Sequence, residues 1–181
     1  PSEGGSASLL LRVTENCPWN KCTFCEMYKG HRFVYRPVED IKKDIDTVKA
    51  MADEIIEVSH KAGQNGQINR DVLRALLSVN PYLNENHCFS NVFSWLYYGG
   101  RTAFLQDANS LAIRPEDMIR ILRHLRDRFP WIERITTYAR SRTLARLTPE
   151  QLAALRDAGA QWGQGFLFGY PIPASEIVEL L

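Results

Sequence analysis

The chain has little of what marks a secreted, membrane-bound or nucleic-acid-binding protein. Four cysteines in 181 residues are too sparse for a fold stapled by disulfides, and a chain of this length can bury a core of its own. No apolar run approaches the ~20 residues of a membrane-crossing helix. Pro1 to Ser8 offer neither the basic patch nor the apolar stretch of a secretory leader. Net charge is nearly absent too: 22 basic and 21 acidic residues leave +1, so no overall field draws the chain to a polyanion. The arginines between Arg120 and Arg146 read mostly as the solvated face of a helix. These absences predict one globular domain in a reducing cytoplasm, with no membrane and no nucleic acid among its partners.

What chemistry there is lies in one place. Cys17, Cys22 and Cys25 fall within nine residues, in the run Asn16-Cys17-Pro18-Trp19-Asn20-Lys21-Cys22-Thr23-Phe24-Cys25. A short loop with three thiolates and no fourth ligand nearby suits a metal centre with one position open. Closed structural zinc sites use four ligands, whereas iron–sulfur clusters are held by cysteine thiolates at short spacings. The expectation is a [4Fe–4S] cluster with three protein ligands and one free iron. A zinc site completed by His31 or by the His87-Cys88 pair stays open beside it. Taken alone, Cys88 reads as a buried small hydrophobe.

Along the chain, apolar runs alternate with amphipathic stretches. Ser8 to Thr14 is short, apolar and rich in strand formers, and the cysteine loop follows it. Pro37 opens a helix whose stripe is Val38, Ile41, Ile45, Val48, Ala52 and Ile55. Between about His60 and Gly100 the pattern changes to two shorter helices. Asn69 caps the first, which carries Val72, Leu73, Leu76 and Leu77. The second carries Phe89, Val92, Phe93, Leu96 and Tyr97, an aromatic stripe that reads as packing. Thr102 to Gln106 is the next strand, and Pro115 starts a helix through Met118, Ile119, Leu122 and Leu125. Ile132 to Tyr138 is a third strand, and the capping box Thr148-Pro149-Glu150-Gln151 opens a last helix running to Gly159. Alternation of this kind predicts a parallel sheet covered by helices, with reactive groups at the strands' carboxyl ends.

The cysteine run resembles the signature of the radical S-adenosylmethionine enzymes, three cysteines after the first strand of a TIM-type (β/α) barrel, with an aromatic just before the last. Phe24 holds that aromatic place. The runs Phe104 to Leu111 and Thr136 to Arg140 are similar to strand ends in a group of uncharacterised proteins of that family. The resemblance implies that Cys17, Cys22 and Cys25 hold three irons, that S-adenosylmethionine binds the fourth, and that Phe24 packs near its adenine. Reduction of the cluster would then cleave the cofactor to methionine and a 5′-deoxyadenosyl radical, which abstracts hydrogen from a substrate. An electron donor of flavodoxin or ferredoxin type and a small-molecule substrate are the implied partners.

The chain also departs from the family. Four residues separate Cys17 from Cys22 where three are usual, so the loop must bulge around Pro18-Trp19-Asn20. No Gly-Gly-Glu-like stretch follows the second strand; Gln106, Asp107 and Asn109 occupy its place, Asp107 being the best acceptor for the cofactor's ammonium. Tyr138 and Arg140 are candidates for the ribose or carboxylate, and Tyr28 and His31 for the lining of the site. Catalytic acids and bases are not assigned. After Ala160 the family's pattern is lost, which truncation, frame alteration or divergence would each produce. The expectation is therefore a partial radical S-adenosylmethionine barrel over residues 1–181, with an insertion at about 60–100 and a divergent tail at 160–181. Three βα units of the family's six would leave a sheet edge for an oligomer or partner to cover. A non-catalytic zinc-binding interaction module is the competing function.

Overall fold

The computed structural model describes residues 7–23 and 25–159. Phe24 and the segment 160–181 thus lie outside the described residues, and with them the adenine contact and the divergent tail expected above.

Three strands form a parallel sheet in the order β1-β4-β5: Leu9–Arg12 (β1), Thr102–Gln106 (β4) and Arg134–Thr137 (β5). Leu9 stands opposite Ala103, Arg12 opposite Gln106 and Leu105 opposite Thr137. All three carboxyl ends therefore share one rim. Two short strands, Thr14–Glu15 (β2) and Val34–Tyr35 (β3), pair antiparallel as a ribbon beside it. The fold is mixed α/β, and the described residues form no closed barrel.

Side chains alternate across a strand, and the two faces of this sheet differ accordingly. Leu9, Leu11, Ala103, Leu105 and Ile135 join the main core with the helices. The opposite face carries Leu10, Arg12, Phe104, Gln106 and Thr136, with Phe104 edge-on to Tyr138 at 4.9 Å. The helix expected after Pro37 runs Val38–Lys61 (α1), and Ile41, Ile45, Val48, Ala52 and Ile55 are buried along its stripe. It packs against Pro115–Arg128 (α4), whose Met118, Ile121, Leu122 and Leu125 are also buried. Asp46 of α1 clasps α4 at the surface, meeting His124 Nε2 at 2.9 Å and Arg128 Nε at 2.6 Å. Two further helices close the described chain, Ser141–Leu144 (α5) and Pro149–Asp157 (α6), the latter with both hydrogen bonds of the Thr148–Gln151 capping box in place. No helix among the described residues is long and apolar enough to cross a membrane.

The insertion holds Arg70–Val79 (α2) and His87–Tyr97 (α3), joined by a 3-10 turn over Pro81–Glu85. Asn69 caps α2 as expected, accepting from the N–H groups of Asp71 and Val72. The aromatic stripe of α3 is corrected at its end. Tyr97 is 47% exposed, whereas Trp95, not read as core, is fully buried and edge-on to Phe129 at 5.3 Å. At 3.6 residues per turn, Tyr97 lies about 140° round the helix from Val92, but Trp95 only about 60°. Cys88 is corrected as well: it is exposed, not buried. It stands in the first turn of α3 on the wall of an open cleft, where partial burial, then the Asp44 charge, push its thiol above the ordinary value.

The outer edge of β1 is not bare. Asn91 of α3 donates to Ser8 O at 3.2 Å and accepts from Leu10 N at 3.1 Å, as a neighbouring strand would. Arg36 Nη1 caps Arg12 O at 2.7 Å. The insertion thus blunts the edge that the sequence left open. Replacing Asn91 by leucine keeps a side chain of similar size but leaves one strand N–H and one C=O without partners. A loss of about 1–3 kcal/mol is expected in urea unfolding; an unchanged midpoint would show that water serves these groups equally well.

Candidate metal centre

The cysteine loop leaves the carboxyl end of β1 through β2 and returns through β3, so the two-stranded ribbon sets both its ends. Cys17, Cys22 and Cys25 are all free thiols and all partly exposed. Two asparagines shape the loop. Asn16 (φ 65°) and Asn20 (φ 48°) occupy the left-handed region, which asparagine tolerates better than most residues. Asn16 Nδ2 donates to Arg32 O at 2.8 Å, tying the outgoing limb to the returning one. Asn20 Nδ2 donates to Tyr28 O and to His31 O, and its backbone N–H points at Cys17 Sγ, 3.5 Å away. The chain bends at Pro18 and Trp19, and Asn20 closes that bend on Cys17.

The rim of the sheet meets this loop at two points. Asp107, just past β4, accepts the backbone N–H of Asn16 at 2.8 Å and pairs with Arg12 Nε at 3.5 Å. Its side chain is only 9% exposed, so a carboxylate is held almost dry beside the first cysteine. Past β5, the Arg140 guanidinium lies 4.5 Å from the centre of the Trp19 ring, and Lys21 Nζ lies 5.5 Å from the same ring. Stacking occupies the face of a guanidinium and leaves its edge donors for other partners. Tyr28 sits between loop and rim. Burial, then the charges of Asp107 and Cys17, push its phenol above the ordinary value; Arg12 opposes them and Cys25 adds a smaller upward push.

The other candidates divide. Asn109 is buried and its amide is engaged, with Nδ2 on Thr143 Oγ1 at 2.9 Å and Oδ1 receiving Arg140 N at 3.2 Å. It orients the start of α5 and the backbone of Arg140. Tyr138 turns back onto Phe104. Gln106 lines a separate cleft of about 560 Å³ between β1, α1 and α3, shared with Arg12, Asp44, His87 and Cys88. His31 is exposed, and its carbonyl, not its ring, engages Asn20. Trp19, Asn16 and Asn20 were not singled out as site residues in the sequence. The signal was present: asparagine beside cysteine in a loop is a ready left-handed corner.

Among the described residues, no three of His, Cys, Asp and Glu are gathered as ligands of one metal ion. Metal binding commonly couples to local folding, because a preformed site rarely precedes the ion. The donor chemistry itself fits an iron–sulfur cluster: three soft thiols on one loop, none consumed in a disulfide, with a hydrogen-bond donor aimed at one sulfur.

Arg140 on Trp19 is the contact that pins the loop to β5. An exposed cation–π pair contributes about 0.5–1 kcal/mol. Trp19→Ala should therefore raise the alkylation rate of Cys22 in metal-free protein roughly two- to five-fold while leaving the global unfolding midpoint in place. An unchanged rate would show that the loop is held elsewhere. No family model, no curated protein and no solved structure matches this chain.

Proposed function

We propose that the chain is an enzyme of the radical S-adenosylmethionine type, its parallel sheet the first part of a (β/α) barrel and Cys17, Cys22 and Cys25 the ligands of a [4Fe–4S] cluster. The observation that carries this reading is three free thiols on one loop at the carboxyl rim of the sheet, a loop tied through the Asn16 N–H to the nearly dry carboxylate of Asp107. Held by Cys17, Cys22 and Cys25, the cluster would supply, with S-adenosylmethionine, one-electron reductive cleavage and hydrogen abstraction.

The chain's own residues orient and protect. Asp107 offers the anionic acceptor that a cofactor ammonium requires, and its fixed hydrogen bond to Asn16 N keeps that carboxylate beside Cys17. Arg140, its ring-facing side on Trp19, presents edge donors to a carboxylate or ribose. Asn109 holds the backbone from which Arg140 projects. A small-molecule substrate and an electron donor of flavodoxin or ferredoxin type complete the system.

Anaerobic reconstitution with iron and sulfide tests the reading. The reduced protein should show a [4Fe–4S] paramagnetic signal that changes shape when S-adenosylmethionine is added. Cys22→Ala should lose the cluster, and Cys88→Ala, altered on the far cleft, should keep it. Stoichiometric zinc with no iron would replace this reading by a zinc-binding interaction module; equal cluster loss in both variants would overturn the ligand assignment.

A further inference from the structure

Asn20 makes more directed contacts within the cysteine loop than its place between Trp19 and Lys21 would suggest. Its backbone N–H faces Cys17 Sγ at 3.5 Å. Its side-chain amide donates to the carbonyls of Tyr28 and His31. Its own carbonyl accepts from Lys29 Nζ at 3.3 Å. One residue thus ties a sulfur on the outgoing limb to three residues of the returning limb, and a left-handed φ of 48° makes all of these bonds available together.

We infer that Asn20 is the positioning residue of the metal centre: it touches no metal, yet it sets the place and the electronic surroundings of the Cys17 sulfur. The inference rests on the cluster reading above and deepens it. Two consequences follow from the geometry. A hydrogen bond to a ligand sulfur favours the more reduced state of the group it holds, and so raises its reduction potential. A clasp between the two limbs holds the Cys17 segment against the returning chain at Tyr28, Lys29 and His31, so it acts on assembly and retention. With four residues between Cys17 and Cys22, the loop carries one more than the family pattern; it bends at Pro18 and Trp19, and the Asn20 N–H closes that bend on Cys17 Sγ.

Three replacements separate the parts of this role. Asn20→Gly keeps the left-handed backbone and its N–H but removes the clasp. Asn20→Asp keeps the shape but turns an acceptor toward two carbonyl oxygens. Asn20→Ala loses both the clasp and the conformational preference. Asn65→Ala serves as the control, because Asn65 is also left-handed (φ 52°) but lies in the turn after α1. Each protein would be reconstituted with iron and sulfide, then assayed for bound iron, for cluster lifetime against a chelator and for midpoint potential.

Partners outside the ligand set typically change metal affinity by roughly 10–100-fold. Asn20→Asp and Asn20→Ala should shorten cluster lifetime within that range and lower the potential. Asn20→Gly should lose lifetime but keep a potential nearer that of the parent, since the N–H to sulfur survives. Asn65→Ala should match the parent in every measure. Wild-type lifetime and potential in all three Asn20 variants would overturn the positioning role while leaving the cluster reading intact. Equal losses in Asn65→Ala would overturn it too, by showing general destabilisation. A parent protein that binds no iron would instead sink the cluster reading itself.

Discussion

The pairing of β1 with β4 is the constraint on which the rest of the molecule depends. It joins residues some 94 positions apart, as the hydrogen bond between Ser8 and Thr102 shows, and parallel strands this distant must close a long loop before their contacts stabilise anything. The insertion makes that closure productive. It packs α3 against β1 while α1 covers the sheet, so the apolar side chains Leu9, Leu11, Ala103 and Leu105 are buried from several directions at once. The register then decides the chemistry. With Arg12 opposite Gln106, Asp107, the residue just past β4, arrives beside the first residues of the cysteine loop. A slip of one residue would carry Asp107 away from Asn16 and put Leu9 and Leu11 on the wrong face.

The sequence is legible where periodicity and capping speak. The stripe of α1, the Asn69 cap, the strand Thr102–Gln106 and the capping box at Thr148 are all where those patterns place them. They are local signals, each contained in a few residues, and tertiary context does not override them. The errors share a different cause. Tyr97 and Cys88 were judged by residue type, and type does not tell which side of a helix faces solvent or where a cleft opens. The β2–β3 ribbon escaped notice because two-residue strands have no period to detect. The Asn91 clasp on β1 joins residues more than eighty positions apart, and nothing in the neighbourhood of either announces it.

The candidate site divides in the same way. Three cysteines at short spacing carry the metal-centre expectation in one dimension. Their surroundings do not, because Asp107 and Arg140 reach the loop only through the fold. Here the sheet and the loop differ in kind. The sheet is held by buried apolar area and a continuous ladder. The loop is held by a few polar contacts, the two asparagine corners and one stacked arginine. A segment with so little apolar burial opens at low cost, which suits a site whose ligands must rearrange around an incoming ion.

That difference in stability bears on how the two parts can serve one reaction. Groups that must orient a cofactor belong on the rigid part, and Asp107 and Arg140 follow the ends of β4 and β5. Ligands that must converge belong on the compliant part, and all three cysteines are there. The contacts between the parts are few and directional: Asn16 N to the Asp107 carboxylate, and Trp19 to the Arg140 guanidinium. Each leaves the functional group able to act elsewhere, because a carboxylate retains acceptor capacity after one hydrogen bond and a stacked guanidinium retains its edge donors. The loop is therefore held against the rim by the same two side chains that the proposed chemistry would use. Under the proposed function, closing the loop around a metal and completing a cofactor site would be one event.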